Sequence, residues 1–300
     1  MRHPGIPQRI ARAYTFYSPI QKGKYRIADL SLRFSHELPR EMLIKATDGR
    51  EFVIDSANES YKYLYFTGVY EPAITAIFRA LVKPGDVCLD IGANIGWFTT
   101  LFQQLTGASG KVHSFEPTPP IFEKLCNNLK LNPNPNNVIL NNVALGDEER
   151  EIDLHIFPDL PDGHASIATF DRKDFETYSA KMITLDSYLT RNKILNVSIA
   201  KVDIEGAELM MLKGASNLFS QKQMPVLEIE MALATSKGFG YTPNDLIEFI
   251  STKGDYTFYK IDERKLKLTQ IKGFADDDIG ANVLCLPKNY DSRNLATWMT

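Results

Sequence analysis

The most constraining feature of this chain is a glycine turn at the end of a hydrophobic run, Val87-Cys-Leu-Asp-Ile-Gly-Ala-Asn-Ile-Gly-Trp97. A run with strand character ends in Asp90-Ile91, and Gly92 and Gly96 then lead into helical spacing from Trp97 to Leu105. A strand that turns through small residues straight into a helix marks a βα unit of an open α/β sheet. Small side chains there let a ligand approach the backbone closely.

The rest of the chain repeats that alternation. A helix through Ile74, Ile77, Phe78 and Leu81 closes at Lys83-Pro-Gly85. Strands are predicted at 111–116, 138–143, 197–204 and 225–231, with helices at 121–131, 207–219 and 244–251, the last starting at Thr242-Pro243. Segments 256–261 and 281–286 complete the sheet. The fold class is therefore a doubly wound, mostly parallel α/β sheet, spanning residues 71–300. Two further strands, 152–157 and 182–185, bracket a polar stretch containing Pro158, Pro161 and Gly163, which reads as a mid-chain β insertion or long active-site loop. Residues 1–70 form an N-terminal appendage or lid with a hairpin around Asp48-Gly49.

Composition narrows the function classes. A net charge of −3 over 300 residues leaves no global cationic surface for a phosphate backbone, so nucleic acid is not an expected partner. The first ten residues lack the apolar core of a signal peptide and no run is long enough to span a membrane, so the expected location is the cytoplasm, with no membrane partner. Cys88, Cys126 and Cys285 are odd in number and widely spaced, as expected of reduced buried thiols.

The glycine turn does not suit a nucleotide phosphate. Its spacing is D-x-G-x-x-x-G with no following Lys, which is neither G-x-G-x-x-G nor a P-loop. Asp90 beside the turn would repel a pyrophosphate and attract a cation, which favours S-adenosylmethionine, a nucleoside carrying a sulfonium and an ammonium. Glu116, ending the second strand before Pro117, is placed to accept hydrogen bonds from two ribose hydroxyls, a feature shared with NAD enzymes. Asn142 and Ala144, at the end of the third strand, are placed to border the adenine.

A second acidic cluster follows. Asp203 and Glu205 end one strand, two residues apart, and Glu228 and Glu230 repeat that spacing on the next. If the strands are neighbours, these carboxylates converge, and either one has a raised pKa and can act as a general base, or a cation such as Mg²⁺ or the cofactor's own charges offset them. Alternatively, Glu208, Glu228 and Glu205 cap helices or pair with Lys201 and Lys213.

With these residues assembled, the chain resembles the FkbM family of S-adenosylmethionine-dependent methyltransferases over about Tyr70 to Pro287. The resemblance rests on Tyr70-Glu-Pro72, Lys83-Pro-Gly-Asp86, Asp90 to Gly96, Phe115-Glu-Pro117, Asn128 to Asn132, Val143 to Asp147, Ala165 to Ile167, Thr184-Leu-Asp186, Lys201 to Glu208 and Lys213-Gly-Ala215. It implies a class I, Rossmann-like methyltransferase fold, cofactor contacts at Asp90, Gly92, Asn94, Glu116, Ala144 and Asp203, and O-methylation of a sugar, glycan or natural-product hydroxyl. Ala93, Gly96, Pro117, Asn142 and Glu71 complete the expected cofactor set, Glu71 closing over the site with Tyr70. Two parts depart from the family pattern: the segment before Tyr70, and a long Asn132–Asn137 loop with Pro133 and Pro135.

Methyl transfer requires the acceptor oxygen about 3 Å from the methyl carbon and in line with the sulfur. Asp203 or Glu205 is expected to orient or deprotonate the acceptor, or to hold a metal that does so, with His164 as the alternative base. The other histidines show no metal-ligand spacing. The rival readings are an NAD-dependent oxidoreductase, which the glycine spacing opposes, and a non-catalytic nucleotide-binding relative, which the intact acidic set opposes.

Overall fold

In the computed structural model, five parallel strands run in register through the centre of the molecule, and their carboxyl ends are where the polar residues collect. The structure describes residues 4–18, 23–33, 38–133, 135–156, 165–166, 175–275 and 278–299. The chain opens with α1 (Ile6–Tyr17), α2 (Lys24–Leu32), the hairpin β1 (Glu41–Lys45) and β2 (Glu51–Asp55), and α3 (Glu59–Thr67). The first half of the sheet follows as α4 (Pro72–Leu81), β3 (Val87–Ile91), α5 (Trp97–Thr106), β4 (Lys111–Phe115), α6 (Pro119–Leu131) and β5 (Val138–Asn141). The insertion comprises β6 (Ala144–Gly146), β7 (Arg150–Ile156), β8 (Ala165–Ser166) and β9 (Glu176–Thr184). The second half runs through α7 (Leu185–Arg191), β10 (Ile199–Val202), α8 (Glu208–Lys213), α9 (Ser216–Phe219), β11 (Val226–Ala232), α10 (Leu233–Ser236), α11 (Pro243–Lys253), β12 (Tyr256–Asp262), β13 (Lys267–Ile271) and β14 (Gly280–Pro287).

The main sheet has the order β13-β12-β14-β11-β10-β3-β4-β5. Strands β11 to β5 in that order are parallel, and β14, β12 and β13 are added antiparallel. The chain reverses between β10 and β3, which opens a crevice outside their carboxyl ends. The insertion forms its own sheet, β6-β9-β7-β8. The sequence reading had no counterpart for α1, α2, α3, α7 and β13, and two predicted elements are interrupted or cut short. The predicted helix 207–219 is split into α8 and α9 at Gly214, where Asp186 donates its N–H to the Gly214 carbonyl at 3.0 Å and its carboxylate accepts from Ser216 and Asn217 N–H at 3.0 and 2.7 Å, starting α9 anew. The predicted strand 138–143 stops at Asn141, and Ala144 begins the other sheet.

The N-terminal segment shares the core of the main sheet. Met42, Ile44, Phe52 and Ile54 belong to one buried cluster with Ile74, Phe78, Phe98, Cys88 and Val226. The free edge of β2 is closed by two side chains of α6. Asn128 accepts from Val53 N–H at 2.8 Å and donates to its carbonyl at 3.3 Å, and Asn132 does the same for Glu51 at 3.0 and 2.9 Å. Each amide thus takes the place of a neighbouring strand and satisfies edge groups that would otherwise be unpaired.

Candidate active site

A cavity opens above the carboxyl ends of β3, β4 and β10. Its floor is the loop Gly92 to Ile95, with Glu116, Pro117 and Ala144 on one side and Asp203 and Glu205 on the other. Gly92 has φ +87°, and a β-carbon there would lie 1.8 Å from the Asp203 carbonyl oxygen. The two loops touch backbone to backbone, which only glycine permits.

Glu116 is buried, and each of its oxygens is fixed by one backbone donor: Oε2 by Asn94 N–H at 3.1 Å and Oε1 by Thr118 N–H at 2.9 Å. Burial pushes its carboxyl up to about 7, against those hydrogen bonds. Further hydroxyl donors would offset the lost hydration. Phe115, Val143, Leu145 and Leu154 line an apolar wall beside it.

On the α4/α5 side of the sheet, Ser114, Asp90, Lys201 and Glu228 stand in register across β4, β3, β10 and β11. Lys201 is 2% exposed, with Nζ 2.8 Å from Asp203, 3.5 Å from Glu228 and 3.8 Å from Glu71, and 4.8 Å from the Phe98 ring centre. Burial acts to lower its ammonium, but Asp203, Glu228 and Glu71 outweigh burial and push it well above the ordinary value. The acids are raised in turn, chiefly by burial: Glu228 to about 7, Glu71 to about 8 and Glu230 to about 10. Glu230 is raised furthest of the three and so holds its proton most tightly among these acids.

The N-terminal segment supplies a wall of the cavity. Asn58, Ser60, Tyr61 and Leu64 of α3 line it, and Tyr61 Oη donates to Asn94 Oδ1. Asn94 is held at φ +48°, so this bond fixes a residue in a sparsely populated conformation.

The expected site residues divide into two groups. Gly92, Ala93, Asn94, Glu116, Pro117, Ala144, Asp203 and Glu205 line the cavity, as does Tyr70. Asp90, Gly96, Glu71 and Asn142 are outside the lining. Asp90 is 1% exposed and accepts from Thr99 Oγ1 at 2.5 Å, because strand alternation turns it toward α5 rather than into the crevice. Gly96 is the residue before α5. Glu71, at φ +42°, sits behind the wall against Lys201. Asn142 donates to the carbonyls of Glu116 and Pro117 at 2.8 and 3.0 Å, bracing that loop instead of facing a base. His164 lies outside the described residues. Glu208 serves as a local cap, accepting from Ile204 and Gly206 N–H, both at 3.1 Å. Tyr61 had no sequence signal of its own. Lys201 had one, as a lone lysine inside the apolar strand Ile199–Val202.

Residues 90–258 match the family model of the methyltransferase FkbM domain. The chain belongs to the FkbM methyltransferase family. Among similar curated proteins, hexuronic acid methyltransferase AglP of Haloferax volcanii is 24% identical over 67% of this chain and 75% of its own length. Methyltransferase 1 of Beauveria bassiana is 24% identical over 62% of this chain and 71% of its own. Among solved structures, the FkbM methyltransferase of Methylobacillus flagellatus aligns at 16% identity and a TM-score of 0.42, covering 75% of this chain and about half, 52%, of that one. The structure of M. jannaschii TYW2 in complex with AdoMet aligns at 17% identity and TM-score 0.41, covering 82% and 84%.

As an FkbM methyltransferase the chain uses S-adenosylmethionine, and the cavity fits it. The glycine cradle admits a ligand against the backbone, the doubly anchored Glu116 offers acceptors for vicinal hydroxyls, and the Phe115, Val143, Leu145 and Leu154 wall is suited to an adenine face. Among the described residues, no group of three or more His, Cys, Asp or Glu is arranged to hold a metal ion. The expectation of a possible Mg²⁺ site therefore finds no support, and the charge it would have offset is met by the Lys201 ammonium.

Proposed function

We propose that this FkbM methyltransferase methylates a hydroxyl oxygen of a sugar, glycan or other small polyhydroxylated acceptor. The observation that carries this reading is the Asp203 carboxylate, which lines the cavity while Lys201 grips its Oδ2 from behind. S-adenosylmethionine supplies an electrophilic methyl carbon on a sulfonium. Asp203 is fixed by the buried ammonium, so its Oδ1 can accept the acceptor's hydroxyl proton and orient the oxygen lone pair. Glu205, held at φ +55° in the same lining, is the second acid within the acceptor end. Tyr61 and Tyr70 wall the cavity and exclude water from the reacting atoms.

The test is transfer of labelled methyl from S-adenosylmethionine to a panel of sugars and glycans, with the product position assigned by NMR. Asp203→Asn should lower kcat by about a hundredfold or more. Turnover near that of the parent protein would remove Asp203 from this role. A label found on nitrogen or carbon would replace O-methylation with another transfer.

A further inference from the structure

Helix α1 is built inside out. Its buried face consists of Gln8, Ala11 and Thr15, whereas Ile6, Ile10, Tyr14 and Tyr17 are 72%, 66%, 40% and 79% exposed. With 3.6 residues per turn these four side chains fall within an arc of about 80°. The apolar stripe of a surface helix ordinarily faces the core. Here it faces outward, and the polar and small residues pack inward, with Thr15 Oγ1 bonded to the Phe66 carbonyl at 2.5 Å.

Charge is partitioned in the same region. The first 40 residues hold eight Lys and Arg against two Asp and Glu, so the rest of this −3 chain is strongly acidic. Arg9 lies exposed beside the stripe, and α2, packed on α1, exposes Arg26, Leu30 and Arg33. Arg12 is not part of this face, because its guanidinium is turned inward to the carbonyls of Tyr65 and Lys45.

We infer that α1 and α2 form a docking face for the headgroup region of an anionic lipid bilayer. Exposed isoleucine and tyrosine side chains enter the interface while neighbouring arginines meet anionic headgroups, the arrangement of an interfacial helix. A second copy of the chain fits this face less well, since a two-fold contact would bring two basic patches together. Interfacial docking needs no run of spanning length, which is why the absence of one in the sequence does not speak against it. No helix among the described residues is long and apolar enough to cross a membrane. Because α1 packs on α3, whose Asn58 and Tyr61 line the cavity, the docked bilayer lies one helix away from the site.

The test is cosedimentation of the full chain with phosphatidylcholine vesicles, with and without phosphatidylglycerol. Binding is expected only to the anionic vesicles and should weaken with added salt. Ile6→Ser/Ile10→Ser/Tyr17→Ser and Arg9→Glu/Arg26→Glu/Arg33→Glu should each lower partitioning by roughly tenfold or more. Near-UV circular dichroism and S-adenosylhomocysteine affinity should be unchanged in both variants, separating this result from loss of fold or of the cofactor site. Failure of the parent protein to sediment with anionic vesicles would overturn the inference. So would a dimer in light scattering that the serine variant abolishes, which would assign the stripe to a second copy.

Discussion

Lys201 and Asp203 are two residues apart at the end of β10, with the ammonium 2.8 Å from the carboxylate, the first buried and the second lining the cavity. The strand passes a charge from the core to the crevice. Lys201→Met leaves Glu228 and Glu71 buried without their cation. Chemical denaturation should show a loss of about 3 kcal/mol or more, and Lys201→Met/Glu228→Leu should regain much of it. Equal stabilities of the single variant and the parent would show that the Lys201 ammonium compensates no buried carboxylate.

The contact between Gly92 and the Asp203 carbonyl makes the cradle intolerant of any side chain. Gly92→Ala must move one loop by more than an ångström and adopt φ +87°, so a loss of about 3 kcal/mol or complete misfolding is expected. Any folded fraction should show no S-adenosylhomocysteine binding by calorimetry.

Tyr61 acts on the cavity through Asn94. Tyr61→Phe removes one hydroxyl without changing the packing, and should cost about 1 kcal/mol. The KM for S-adenosylmethionine should rise severalfold while kcat changes little. A fall in kcat at constant KM would place Tyr61 at the reacting atoms instead.

The buried acids set a pH dependence. Burial raises Glu116 and Glu228 to about 7 from an ordinary 4.5, and Asp90 to about 6 from 3.8. Over those windows the folded state binds more protons than the unfolded chain, so their contribution is complete at low pH and is lost as pH rises toward 7. His113, lowered to about 4 by burial, opposes this only below its ordinary 6.5. Thermal unfolding midpoints should therefore be higher near about pH 5.5 than near about pH 8. Glu228→Gln should flatten that slope, and an unchanged slope would mean that Glu228 is ionised throughout.

Much of this protein was legible before its structure. The period-2 and period-3.6 patterns placed the central strands and helices, because local propensity and burial agree there. The run Asp90 to Gly96 located the cavity floor, since a strand-to-turn-to-helix transition is a local event. The Thr242-Pro243 start of α11 was also local, and the structure shows its capping box with Asp245. The direction of individual side chains was not legible. Asp90 and Asp203 share the same strand phase, yet one is covered by α5 and the other lines the crevice, because Asp90 stands level with Lys201 inside the sheet while Asp203 lies two residues further on, past the end of β10. The separation of α8 from α9 depended on Asp186, which caps Ser216 from 30 positions earlier in the chain.

By itself the sequence determined the alternation of elements, the glycine floor and the acids at the strand ends, because each is written in residues adjacent along the chain. Only the tertiary structure decided that Lys201 neutralises those acids, that α3 of the N-terminal segment walls the cavity, and that α1 turns its apolar face outward. Those are contacts between residues far apart in sequence, and their free energies depend on burial and distance, which no local pattern encodes.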